Sequence, residues 1–189
     1  MSTIVMWSKK VFLVAMVAAL GLASLPAVNV YALVQSDPST PTAPTQITTD
    51  RLEQIWAKEQ AAYDRLGKFF DNVDARISKA QELIDKAKAN GKDVSALQAA
   101  LDAFSDAVKQ AKPIYESGKG VIASHQGFDS NGKVTDQTKA IDTVKDLGGK
   151  LKEIRQTIFP AAKALREAVR AFRQANHPAA TSTPNSSGS

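Results

Sequence analysis

The stretch AIDTVKDLGGKLKEIRQTIFPAAKALREAVRAFRQA, residues 140 to 175, decides the fold. Its apolar positions Ala140, Val144, Leu147, Leu151, Ile154, Ile158, Ala161, Leu165, Ala168, Phe172 and Ala175 advance by alternating steps of four and three. On an α-helix that spacing draws one continuous apolar stripe, whereas a half-buried strand would alternate at every second residue. The seam is that of long helices lying almost side by side. Gly148-Gly149 and Pro160 are its two weak points. Glycine lowers helix stability and proline removes a backbone donor, so a break at the glycine pair would give the alternative of four helices, one of them short.

The same walk appears twice upstream. Asp50 with Glu53 three residues on has capping-box spacing, and Asn90-Gly91 is a stop signal. Between them Leu52, Trp56, Glu59, Tyr63, Leu66, Phe70, Val73, Ile77, Ala80, Ile84 and Ala87 keep the heptad step, and Glu59 alone breaks its apolar character. A second segment opens at Asp93 or Ser95, where Ser95 and Gln98 also have capping-box spacing, and runs through Leu97, Leu101, Phe104, Val108, Ala111, Tyr115 and Ile122. Gly118 occupies its vacant step. Pro113 is expected to kink this helix, which leaves the Gly118 to Gly120 end as its loosest part. A loop from Gln126 to Val134 follows, before Thr135 or Asp136 caps the third helix.

Three seams joined by two short connections predict an all-α protein, an antiparallel up-down-up bundle of three long heptad-patterned helices over residues 49–176. In outline alone this resembles a spectrin-type repeat, and no function follows from the likeness. Residues 1–32 read as a secretory signal peptide: Lys9 and Lys10 precede an apolar run from Val11 to Leu25, Pro26 ends it, and Val30 and Ala32 fit a cleavage site. Cleavage would leave Leu33 first; without it the run would anchor the chain in a membrane. Residues 33–48 are a Pro/Thr-rich spacer expected to be disordered, and residues 177–189 a disordered tail of similar composition.

Composition narrows the function. The 189 residues are 43% apolar and 23% charged, a globular balance, with no cysteine. Disulfides, thiolate metal sites, thiol nucleophiles and a lipoprotein anchor are thereby excluded. Met1, Met6 and Met16 all lie in the signal, so the mature chain offers no Met ligand for a haem. His125 and His177 fall at opposite ends of the bundle and cannot share a metal. Asp129-Ser130-Asn131-Gly132-Lys133 has oxygen-bearing side chains beside a glycine, but its register is not that of an EF-hand and it reads as an interhelical turn. Gly118-Lys119-Gly120 lacks the strand and the hydroxyl residue of a P-loop. Trp56, Phe69 and Phe70 have the spacing of a helix core. Paired carboxylates such as Asp71 with Asp74 and Asp102 with Asp106 sit on polar faces, where nothing would push two pKa values apart. The chain is therefore expected to be no enzyme and to hold no cofactor.

What stands out is a basic stripe on the third helix. At 100° per residue, Lys152, Arg155, Lys163, Arg166, Arg170 and Arg173 fall within an arc of roughly 80°, with Phe159 among them. Two readings compete for it. The cations either pair with acids of the first helix such as Asp64, Asp71 or Glu82 or are simply solvated, or they form a surface for an anionic partner: a cell-envelope polymer, the lipid headgroups of a membrane face, or extracellular nucleic acid. Sequence-specific nucleic-acid binding is not expected, and a long amphipathic hairpin can also close on a second copy as a homo-oligomer. The expected role is a non-catalytic binding or structural module outside the cytoplasm. The alternative is a periplasmic chaperone-like or stress-response protein, a class known by Leu-Thr-x-x-Gln repeats that this sequence lacks.

Overall fold

The computed structural model describes residues 47–176; the expected signal, most of the expected spacer, and the expected tail with His177 lie outside them. The described chain is three helices, α1 (Thr49–Ala89), α2 (Ser95–Ser124) and α3 (Gln137–Asn176), packed as an all-α bundle. With 41 residues, α1 is about 60 Å long. No β-strand is present among the described residues, only an isolated bridge between Phe128 and Val134 in the α2–α3 loop.

Each boundary has a local cause. Thr48 caps α1, its hydroxyl accepting the Arg51 amide at 3.4 Å. The expected Asp50/Glu53 box does not form, because Glu53 is drawn away to the α2–α3 loop. At the other end Gly91, at φ +69°, lets its amide reach the Lys88 carbonyl and the Lys92 amide reach that of Ala87. These two bonds make a Schellman stop, which requires a residue that tolerates positive φ. Asp93 accepts the Ser95 amide and hydroxyl at the start of α2, so the Ser95/Gln98 box is also displaced; Gln98 pairs side chain to side chain with Gln81 of α1. Asp136 caps α3 by accepting the Lys139 amide at 3.1 Å.

The core runs the full length of the bundle. Leu52, Trp56, Phe104, Leu147, Ile154 and Ile158 are among its completely enclosed members. The helices α2 and α3 approach most closely, and α1 stands further from both. Gly118 is buried under Tyr63, where a Cβ would come within 2.7 Å of the ring; the vacant step in the sequence is a seat for an aromatic side chain, not the loose end expected there.

Both weak points of α3 are absorbed. The helix is continuous through Gly148-Gly149 and Pro160, which removes the four-helix alternative. Its seam does shift: after Ile158 the buried residues are Ala162, Leu165 and Val169, with Ala161, Ala168 and Phe172 only partly covered and Ala175 exposed. A helix of 3.6 residues per turn drifts against a 3.5-residue repeat, and two consecutive steps of four correct the drift around the proline.

Candidate functional site

The α2–α3 loop closes one end of the bundle. Asp129 Oδ1 accepts the amides of Asn131 and Lys133, each at 2.8 Å, and Gly127 and Gly132 take positive φ. Phe128 swings inward and stacks on Trp56 with ring centroids 4.9 Å apart. Glu53 reaches over from α1, accepting Lys133 Nζ at 2.7 Å and the Val134 amide at 3.2 Å. Those bonds, led by the one to Lys133, hold the Glu53 carboxyl below its ordinary range. Asp129 is thus a turn-maker, and no cluster of three or more histidines and carboxylates among the described residues could hold a metal.

Below that loop lies the one discordant seam residue. Glu59 is 0% exposed, and neither carboxylate oxygen has a hydrogen-bond partner. Gly148 of α3 faces it; a Cβ there would lie 2.6 Å from Glu59 Oε1. Burial raises its carboxyl from the usual 4.5 to about 8. The aromatic residues continue the column: Tyr63 stacks on Tyr115 and donates its hydroxyl to the Tyr115 carbonyl at 2.9 Å, and Phe70 packs against Tyr115 and meets Phe69 edge to face. Trp56, Tyr63 and Phe70 fill the core as their helical spacing predicts, while Phe69 and Tyr115 pack against it partly buried.

The basic stripe runs along α3 from Lys152 to Arg173. Phe159 is 43% exposed and sits between two guanidinium groups, Arg155 at 5.9 Å and Arg166 at 6.0 Å from its ring centroid. A cation over an aromatic face is attracted by the ring quadrupole, so Phe159 draws both guanidinium groups toward one exposed point. Arg166 also donates Nε to the Ala162 carbonyl at 3.2 Å. Lys163 meets Glu167 of its own helix at 3.8 Å, both well exposed, a pair worth little in water. Lys152 and Arg170 are exposed, and Arg173 is half-buried with Nε unpartnered.

The alternative of pairing with α1 fails for the arginines. Among the described residues no ion pair joins Arg155, Arg166, Arg170 or Arg173 to Asp64, Asp71 or Glu82. Glu82 faces the other way, lining with Asp85 and Asp102 an open groove of about 440 Å³ between α1 and α2. The structure therefore gathers Arg155, Phe159 and Arg166 into one cluster, with Lys163 and Arg170 on the same exposed face. No helix among the described residues is long and apolar enough to cross a membrane.

No family model, no curated protein and no solved structure matches the chain.

Proposed function

We propose that the protein is an exported module that works by binding rather than by catalysis, docking an anionic polymer of the cell envelope through the basic face of α3. The observation that carries this reading is the cluster around Phe159: two arginines held on an exposed ring, continued along the face by Lys163 and Arg170. Arg155, Arg166 and Arg170, which form no ion pair among the described residues, attract a polyanion at range, and the exposed ring offers its apolar segments a contact. Export rests on the pattern of residues 1–32, and protein recovered outside the cytoplasm should begin at Leu33. The absence of catalysis rests on the placement of the carboxylates. Those on the surface lie in water, and Glu59, whose carboxyl is shifted upward, is sealed from any substrate.

The test compares wild type with the double substitution Arg166→Glu/Arg170→Glu on a teichoic-acid-like polymer, anionic vesicles and DNA, at low and moderate salt. Exposed charges are screened beyond about 8 Å at physiological ionic strength, so retention on the polymer should weaken as salt rises. The double variant should be lost already at low salt. Salt-insensitive retention, or equal retention of the variant, removes the proposal. Stronger retention on vesicles than on polymer moves the partner to the membrane face.

A further inference from the structure

The loop end of the bundle contains a feature that binding through α3 does not use. We propose that Glu59, lodged in the notch opposite Gly148 with no hydrogen-bond partner, is a proton-operated latch between α1 and α3. The bundle closes around the neutral acid, and ionisation loosens the end capped by the α2–α3 loop. Position, enclosure and isolation each contribute. Glu59 occupies a heptad site that every neighbouring turn of α1 fills with an apolar or aromatic residue, it is wholly enclosed, and the absent side chain of Gly148 leaves the space its carboxyl occupies.

A carboxylate in such a place lacks everything that stabilises charge. The titratable side chains flanking Glu59, Gly118 and Gly148 along the three helices are Lys58, Tyr63 and Asp64 on α1, Tyr115, Glu116, Lys119 and His125 on α2, and Lys145, Asp146, Lys150 and Lys152 on α3. Tyr63 is engaged with the Tyr115 carbonyl, Lys119 with Glu116 at 2.6 Å, and Lys150 with Asp146 at 3.2 Å. His125 turns Nδ1 to the Ala123 carbonyl at 3.0 Å, while Lys58, Lys145 and Lys152 are exposed. None of these groups bonds to Glu59, and burial is the cause of its upward shift to about 8. An unpaired buried charge is costly, so the group stays neutral or the site opens.

The direction of the pH response follows. Below 4.5 the acid is neutral in folded and unfolded chains alike, and its contribution to stability is fully present. Between 4.5 and about 8 only the unfolded chain ionises, so stability falls as pH rises. Above that range the folded chain ionises too, and the loop end loosens.

The experiment measures urea unfolding of the full chain from pH 5 to 9, together with amide exchange at pH 9, for wild type and Glu59→Gln. Glutamine keeps the shape and cannot ionise. Wild type should lose about tenfold in its folding constant per pH unit within the window, relative to Glu59→Gln. At pH 9 it should also exchange faster than the variant in segments 52–63 and 140–151. Parallel pH profiles, or equal exchange, would overturn the latch. Should Glu59→Gln not fold, the carboxyl carbon shift of Glu59 in the wild type decides alone: a midpoint near 8 supports the latch, and one in the ordinary carboxylate range overturns it.

Discussion

The two ends of this bundle are built on opposite principles. Where the α2–α3 loop folds back, polar groups are turned inward or tied down: Glu53 accepts from the loop, Asp129 organises it, Trp56 is covered by Phe128, and Glu59 is enclosed. Towards the C-terminus of α3 the arrangement reverses. An aromatic ring and a row of cations are turned outward, on a helix whose other face is already committed to the core. One end thus holds the enclosed acid on which the proposed latch rests, and the other the exposed cations on which the proposed docking rests. Both occupy the same helix, at Gly148 and at Phe159.

The sharpest way to break this contrast is to remove the largest residue of the closed end. Trp56→Ala takes away a side chain that is 1% exposed and the stacking partner of Phe128. It should cost about 3 to 5 kcal/mol in denaturant melts, as large aromatic truncations in cores do. A loss below about 1 kcal/mol would mean that the loop does not seal the bundle.

A smaller and more discriminating effect comes from the glycine pair. Gly149 has open space where a Cβ would be added, so Gly149→Ala should stabilise the protein by up to about 1 kcal/mol through helix propensity. Gly148→Ala makes the same chemical change one residue earlier and should act in the opposite direction. Its methyl group would meet Glu59 Oε1 inside a closed core, and overpacking of that kind costs about 1 to 3 kcal/mol. Adding Glu59→Ala should recover most of that loss, and thermal melts of the single and double variants measure the coupling. Equal stabilisation by both alanines would show that Glu59 has room to move.

These predictions mark how far the sequence could be read. The seams of α1 and α2, the turn at Asn90-Gly91 and the inward face of α3 as far as Ile158 follow from spacing, because burial on a helix repeats with its period. The shift to Ala162 and Val169 did not follow, since it depends on how a drifting seam is realigned against two neighbours. Glu53 fits a capping box by spacing, but its partners lie some 80 positions away at Lys133 and Val134. Glu59 was visible as a break in the pattern and its meaning was not, because one helix's period says nothing about what stands opposite; that was Gly148. The basic face was legible as an arc of charge. Its organisation around Phe159 needed the side-chain geometry.

The smallest expected effect on stability, and the one that most directly tests the open end, belongs to Phe159→Ala. The ring is partly solvated and its contacts in the structure include two guanidinium groups at the edge of cation–π range, so unfolding should change by no more than about 0.5 kcal/mol. Its effect on docking should be larger. Without the ring Arg155 and Arg166 keep their charge but lose a fixed position, and ordering them on a partner then costs conformational entropy that the wild type has already spent. Retention on the anionic polymer at low salt should therefore drop several-fold, less than for Arg166→Glu/Arg170→Glu, with the same dependence on salt because no cation has been removed. Phe159→Leu separates the two roles of the ring, since it restores apolar contact without restoring the attraction for the arginines. If leucine binds as phenylalanine does, the ring acts by contact alone. If Phe159→Ala destabilises the protein as much as Trp56→Ala, Phe159 belongs to the core, and the contrast between the two ends fails.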